Sequence, residues 1–127
     1  MASAKTSSHR TDFWLIVAEE DGRVLTVDGD GTPAIFSGEG EAEMFRHLLG
    51  VGEGGWLVRR ISPGELISVL YCHCADANKV ALDPAPEMLS ARLIGLVCMS
   101  KVRFVARIVE RVLERRRLLD RPAVSIS

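Results

Sequence analysis

The 127-residue chain carries 16 lysines and arginines against 17 aspartates and glutamates, and 47% of its residues are hydrophobic. The resulting net charge of −1 argues against the basic surface typical of a nucleic-acid-binding domain, and the hydrophobic content argues against a disordered chain. A chain of this length fits one globular domain, and its longest apolar stretches are too short to span a membrane.

Three cysteines without framework spacing are typical of free thiols in a reducing compartment. Residues 1–12 are rich in serine and threonine and lack the apolar core of a signal peptide. We therefore expect a cytoplasmic protein with a mobile segment over residues 1–12, a single domain over 13–119 and a C-terminal tail over 120–127.

The first third of the chain predicts a three-stranded meander followed by a helix. "FWLIVA" (13–18) is an apolar run of strand length, and Asp21-Gly22 is typical of a hairpin turn. "RVLTVD" (23–28) alternates as a second strand would, and "AIFS" (34–37) follows the turn "GDGTP" as a third. Ser37 is expected to cap a helix that ends at Gly50.

The middle of the chain predicts strands alternating with helices after the flexible connector "GVGEGG". "WLVRRIS" (56–62) is a fourth strand, and Ser62, Pro63 and Glu65 form the capping box and first-turn proline of a second helix. "KVALDP" (79–84) predicts a fifth strand, and "RLIGLVCM" (92–99) a buried sixth.

The last predicted element is a helix over residues 101–117, capped by Ser100. Its apolar residues follow helical spacing and are expected to form the buried stripe: Val102, Val105, Val109, Val112 and Leu113. A row of arginines runs down the other side and is the candidate interaction face: Arg103, Arg107, Arg111 and Arg115.

The element order β-β-β-α-β-α-β-β-α predicts an α/β (α+β) fold in one domain, with a mixed sheet of five to six strands flanked by three helices. Each later strand–helix–strand unit is compatible with a right-handed crossover.

The segments "PAIFSGEGEAEMF", "VRRISPGELISVL" and "VALDPAP" resemble, in this order, the N-terminal domain of SseB-type proteins. The matching positions are Phe36 and Ser37, Leu66 with Val69 and Leu70, and Asp83 with Pro84. The chain departs from the family pattern where Asp-Pro-Ala-Pro replaces an Asn-Pro-Gly-like turn. The resemblance implies an α/β module without a known catalytic constellation, and it transfers no active-site residue.

The cysteine-rich stretch Cys72-His73-Cys74 does not have the ligand pattern of a zinc site. Such a site takes four ligands, usually from two spaced pairs, whereas Cys98 has no paired neighbour. Neighbouring side chains on a helix also diverge by about 100°. Cys98 and Arg103 are separated by four residues, whereas a phosphatase loop has five between its cysteine and arginine. We therefore predict no metal, cofactor or catalytic residue.

The charge is divided unevenly along the chain. Residues 1–100 hold eight basic and fourteen acidic residues, a net charge of −6, whereas residues 101–127 hold eight basic and three acidic residues, a net charge of +5. This asymmetry is typical of an interaction segment or of a self-complementary chain.

The predicted function is therefore a non-catalytic domain that acts through protein contacts, with a protein partner or a second copy of itself in a homodimer. One alternative is a small thiol- or metal-dependent enzyme or sensor using Cys72, His73, Cys74 or Cys98. Another is a phosphate or nucleic-acid binder through the arginine-bearing helix, although no aromatic residues alternate with the arginines for base stacking.

Overall fold

The computed structural model describes residues 12–48, 55–90 and 93–126. Most of the predicted mobile segment and of the "GVGEGG" connector lie outside these residues. The described elements are β1 (Phe13–Ala18), β2 (Ala34–Ile35), α1 (Glu39–Leu48), β3 (Trp56–Ile61), α2 (Pro63–Cys72), β4 (Lys79–Leu82), α3 (Pro86–Ser90), a 3-10 helix (Ile94–Val97), β5 (Cys98–Ser100) and α4 (Lys101–Ile126).

The described strands form two small sheets. In the first sheet β1 pairs antiparallel with β3, and in the second β2 lies parallel to β4, which pairs antiparallel with β5. One isolated bridge joins the two sheets, because the Trp14 N–H donates to the Phe36 carbonyl at 2.8 Å and the Phe36 N–H donates back at 2.9 Å.

The mixed α+β class is confirmed, but its predicted details are wrong in two respects. The described residues contain sheets of two and three strands instead of one sheet of five to six, and four helices instead of three, the additional helix being the short α3. The predicted sixth strand is mostly the 3-10 helix Ile94–Val97, and only Cys98–Ser100 pairs with β4. A short apolar run does not by itself distinguish a strand from a helical turn.

The predicted second and third strands lie one after the other along the same edge of β1. Val24 bridges Val17, and the Leu25 N–H donates to the Ile16 carbonyl at 2.8 Å. Residues 34–36 then continue in the same direction as far as the bridge between the two sheets. The meander is therefore replaced by a single interrupted strand.

The interruption is a loop that closes on itself between Thr26 and Pro33, which form an antiparallel bridge. Inside it, one oxygen of the Asp28 carboxylate accepts the Asp30 and Thr32 N–H groups, each at 3.0 Å. The other oxygen accepts the Thr32 hydroxyl at 2.8 Å. Because these local bonds satisfy the loop, residues 34–36 can return to the same edge of β1.

The alternation of side chains along β1 divides the core into two layers. Leu15 and Val17 lie in the layer covered by α2 and α4, together with Leu66, Leu70, Phe104 and Ile108. Ile16 lies in the opposite layer, which α1 covers with Ala42 and Phe45 against Phe36. Both faces of the sheet are thus packed.

Helix α2 begins with the predicted capping box, in which Ser62 accepts the Glu65 N–H at 3.3 Å and the Glu65 carboxylate accepts the Ser62 N–H at 3.4 Å. Its C-terminal end meets the first residue of α4, Lys101, which is only 6% exposed. The Lys101 ammonium donates to the carbonyls of Leu70, Cys74 and Ala75 at 3.1, 3.1 and 3.3 Å.

Candidate functional site

Helix α4 buries a different face from the one that its sequence predicts. Over residues 101–118, the buried side chains are Lys101, Phe104 and Ile108. Val105 is partly buried, whereas the other members of the predicted stripe are between 36% and 66% exposed. We call these four side chains the valine face: Val102, Val109, Val112 and Leu113.

The difference arises because, over residues 101–118, α4 packs on the sheet through its first two turns. No side chain of residues 109–118 is buried within the described structure, although Arg115 is partly covered. Phe104 and Ile108 lie one helical turn apart and occupy the space over β1 and β4 that the sequence assigns to the valines. The predicted buried stripe is therefore wrong for this helix.

The four predicted interaction arginines are not equivalent. Arg103, Arg107 and Arg111 are exposed, and Arg115 is partly buried. Arg107 and Arg111 lie over a cavity, whereas Arg103 and Arg115 do not line it. Among the described residues, ion pairs join Arg23 to Asp21, Arg46 to Glu43 and Arg60 to Asp12, and none of them involves Arg107 or Arg111.

The cavity, about 170 Å³ in volume, lies between α4 and the C-terminal ends of β2 and β4. We call it the arginine pocket. Its apolar lining comes from Phe13, Ile35, Leu82, Phe104 and Ile108. Its polar lining comes from Ser37, Asp83, Arg107 and Arg111.

Ser37 and Asp83 are joined across the two parallel strands. The Asp83 carboxylate accepts the Ser37 N–H at 2.9 Å and the Ser37 hydroxyl at 2.8 Å. Asp83 adopts a φ of 48°, in the left-handed region that a non-glycine residue rarely occupies. The Ser37 hydroxyl thus donates to Asp83, and α1 begins at Glu39 instead of directly after Ser37.

Sequence reasoning placed these two residues in a cap and a turn and assigned them no common site. Each follows a strand, and the carboxyl ends of parallel strands meet at one edge of a sheet, where α/β folds bind ligands. Predicting that Ser37 and Asp83 lie together would require knowing that β2 pairs in parallel with β4, and the sequence does not show this pairing.

The cysteines do not assemble into a reactive or metal-binding group within the described residues. A second cavity of about 470 Å³ is lined by Cys72, His73 and Cys74, but no three histidine, cysteine or acidic side chains of the described part could hold one ion. Cys98 donates its thiol to the Ile94 carbonyl at 3.3 Å.

The surroundings of two of the three thiols also disfavour the thiolate form. Burial raises the pKa of Cys74, and the nearby Lys101 ammonium opposes this only in part. Burial likewise raises the pKa of Cys98, against a smaller lowering by Lys79. Because the thiolate is the nucleophile, these surroundings disfavour catalysis by Cys74 or Cys98 at neutral pH.

The class that this fold defines is a mixed α+β domain with a small mixed-polarity pocket. No family model matches the chain, and no curated protein or solved structure matches it either. The resemblance to the SseB-type N-terminal domain therefore stays a prediction. Among the described helices, none combines the length and the apolar character that crossing a bilayer requires.

Proposed function

We propose that the protein is a non-catalytic cytoplasmic domain that acts through protein contacts, and that its partner is a second copy of the same chain docked on the valine face. The observation that carries this proposal is the exposure of the valine face on a helix whose residues 109–118 have no buried side chain.

The spacing of the valine face suits a helical partner. Val102, Val109 and Val112 are separated by seven and three residues, which places them along one seam of the helix. Burying apolar surface in such a contact favours association by about 25 cal/mol for each Å² removed from water. An apolar patch edged by charged side chains, here Glu110 and Arg116, is typical of an interaction surface.

Charge complementarity favours a second copy as the occupant. Residues 101–127 have a net charge of +5, whereas residues 1–100 have a net charge of −6. Opposite charges of this kind attract two copies when the basic helix of one meets the acidic body of the other.

Helix α1 offers the matching surface on that acidic body. Met44 and Leu48 lie one turn apart and are 59% and 60% exposed, and Glu39 and Glu41 in the first turn are also exposed. We assign this surface as the place where the valine face of the second copy docks. A two-fold pair would form the contact twice.

The test is the oligomeric state of the full chain by sedimentation velocity over a wide range of concentrations. The wild type is expected to dimerise, and Val109→Lys with Val112→Lys is expected to shift it to a monomer, because two charges would enter an apolar contact. Glu110→Gln with Glu114→Gln changes the net charge by the same amount on the same helix and is expected to retain the dimer, because it makes the basic helix more positive without placing a charge in the apolar contact.

A second pair of substitutions tests the assigned surface on α1. Met44→Lys with Leu48→Lys is expected to abolish the dimer as the valine substitutions do. A wild-type chain that sediments as a monomer at every concentration would overturn the proposal. A dimer that persists in both lysine variants would show that copies associate through another surface.

A further inference from the structure

We propose that the arginine pocket binds a small organic anion, whose apolar body lies against the aromatic floor and whose carboxylate or phosphate group pairs with Arg107 and Arg111. This ligand site is separate from the valine face and does not depend on the proposed self-association.

The charge at the mouth of the pocket favours an anion. Two guanidinium groups, those of Arg107 and Arg111, line it together with one carboxylate, that of Asp83. Both oxygens of that carboxylate already accept hydrogen bonds from Ser37. The mouth therefore keeps one formal positive charge without a counter-ion among the described lining residues.

The spacing of the two arginines suits a single anionic group. They are four residues apart on α4, so their side chains leave the same face of the helix one turn apart. A guanidinium presents paired N–H donors that match the geometry of a carboxylate or phosphate. The apolar wall beneath them lowers the local dielectric and strengthens that attraction.

The floor of the pocket selects an apolar body. Phe104 and Ile108 are buried beneath it, and Phe13 meets the Phe104 ring edge-on, with 5.7 Å between the ring centroids. A volume of about 170 Å³ is similar to that of an engineered protein cavity of about 150 Å³ that binds benzene. The pocket is thus large enough for one aromatic ring or a short branched chain.

The position of the pocket in the fold agrees with a binding role. It lies at the carboxyl ends of the parallel strands β2 and β4, where open α/β sheets commonly receive ligands. Asp83, one of its lining residues, has a φ of 48° and accepts two hydrogen bonds from Ser37. Residues fixed in such sparsely populated conformations concentrate at ligand-binding sites.

The experiment titrates the full isotope-labelled chain with benzoate and follows the backbone amide shifts by NMR. Benzoate is expected to give saturable shifts at Ser37, Asp83, Phe104 and Ile108, with a dissociation constant of about 1 mM for a ligand of this size. Benzyl alcohol keeps the ring without the charge, and acetate and inorganic phosphate keep the charge without the ring. Each is expected to bind at least about tenfold more weakly, since each lacks one of the two interactions.

Matched variants locate the charge. Arg107→Gln with Arg111→Gln is expected to weaken benzoate binding at least about tenfold, which corresponds to the loss of one charge-assisted hydrogen bond. Arg103→Gln with Arg117→Gln removes the same charge from the same helix outside the pocket and is expected to leave the affinity within about twofold, as for a screened distant charge.

Three outcomes would overturn the proposal. They are the absence of saturable shifts at these residues, equal weakening in both double variants, and binding of benzyl alcohol or phosphate as tight as that of benzoate. Val109→Lys with Val112→Lys is expected to retain benzoate binding, so failure of the pocket and failure of the dimer would be told apart.

Discussion

Asp28 shows how one side chain sustains a whole loop. Partial burial raises the pKa of its carboxyl group, but the hydrogen bonds from the Thr32 N–H and hydroxyl and from the Asp30 N–H outweigh this, so that its pKa lies below the usual value. A carboxyl group whose pKa is lowered on folding stabilises the protein above its unfolded-state pKa. That contribution is lost as the pH falls through the folded-state pKa.

We therefore predict that Asp28→Asn lowers the free energy of unfolding by about 1 kcal/mol at neutral pH, as expected for the loss of charge-assisted hydrogen bonds. The difference from the wild type should shrink as the pH falls below the usual range of aspartate. Urea unfolding between pH 2 and 7 would measure it, since this range covers the titration of a carboxyl group. Asp30→Asn is the control, because the Asp30 carboxylate accepts none of these loop bonds. An equal, pH-independent loss in both variants would contradict the explanation.

Whether a residue's role can be predicted from the sequence depends on how far away its partners lie along the chain. Ser62 and Glu65 are three residues apart, and their capping box was predicted from spacing alone and is confirmed. Ser37 and Asp83 are 46 residues apart, and only the folded chain brings their hydrogen bonds together. Contacts between residues close in sequence can be predicted from a single sequence, whereas contacts set by strand pairing cannot.

At the scale of elements, α2 and α4 are joined by a lysine instead of an ordinary helix cap. The Lys101 ammonium satisfies carbonyls at the C-terminal end of α2 and lies 4.7 Å from the centre of the Tyr71 ring. A positive charge at this end also complements the helix dipole.

Lys101→Met is expected to lower the free energy of unfolding by about 2–4 kcal/mol, because it leaves several poorly hydrated carbonyl groups without a donor. Lys79→Met removes an exposed lysine from the first position of β4 and should lower the free energy of unfolding far less. Thermal or urea unfolding of both variants provides the comparison. If Lys101→Met proved as stable as Lys79→Met, the lysine would not be holding the two helices together.

The elements that the sequence predicts correctly are those with a strong local pattern. β1, β3, β4, α1 and α2 lie where apolar runs, periodicity and capping residues place them. The buried face of α4 was predicted wrongly because the helix carries two apolar stripes with the same helical spacing. Phe104 and Ile108 form one stripe, and Val109 and Val112 belong to the other, on a different side of the helix. Periodicity shows that a helix is amphipathic, but the sheet beneath it decides which apolar residues are covered.

At the scale of the whole molecule, the uneven charge makes a prediction about self-association. If a body of net charge −6 meets a helix of net charge +5, raising the salt concentration should weaken the dimer. At about 0.5 M salt such charges are largely screened beyond a few ångströms. Sedimentation velocity at low and high sodium chloride would measure the change. A purely apolar contact would instead be unaffected or tightened by salt. That result would contradict the argument from charge that the partner is a second copy of the chain.

The interrupted strand has a consequence for how this chain tolerates change. The register of residues 34–36 is fixed by the bridge between Phe36 and Trp14, and the loop from Thr26 to Pro33 leaves and re-enters the sheet at adjoining points. Extra residues placed at its exposed tip, between Gly29 and Asp30, would separate Asp28 from the Asp30 and Thr32 N–H groups, but would rotate no core side chain out of its layer. This tip is accordingly the place to graft a reporter peptide or a fluorescent label while both packed layers keep their native arrangement.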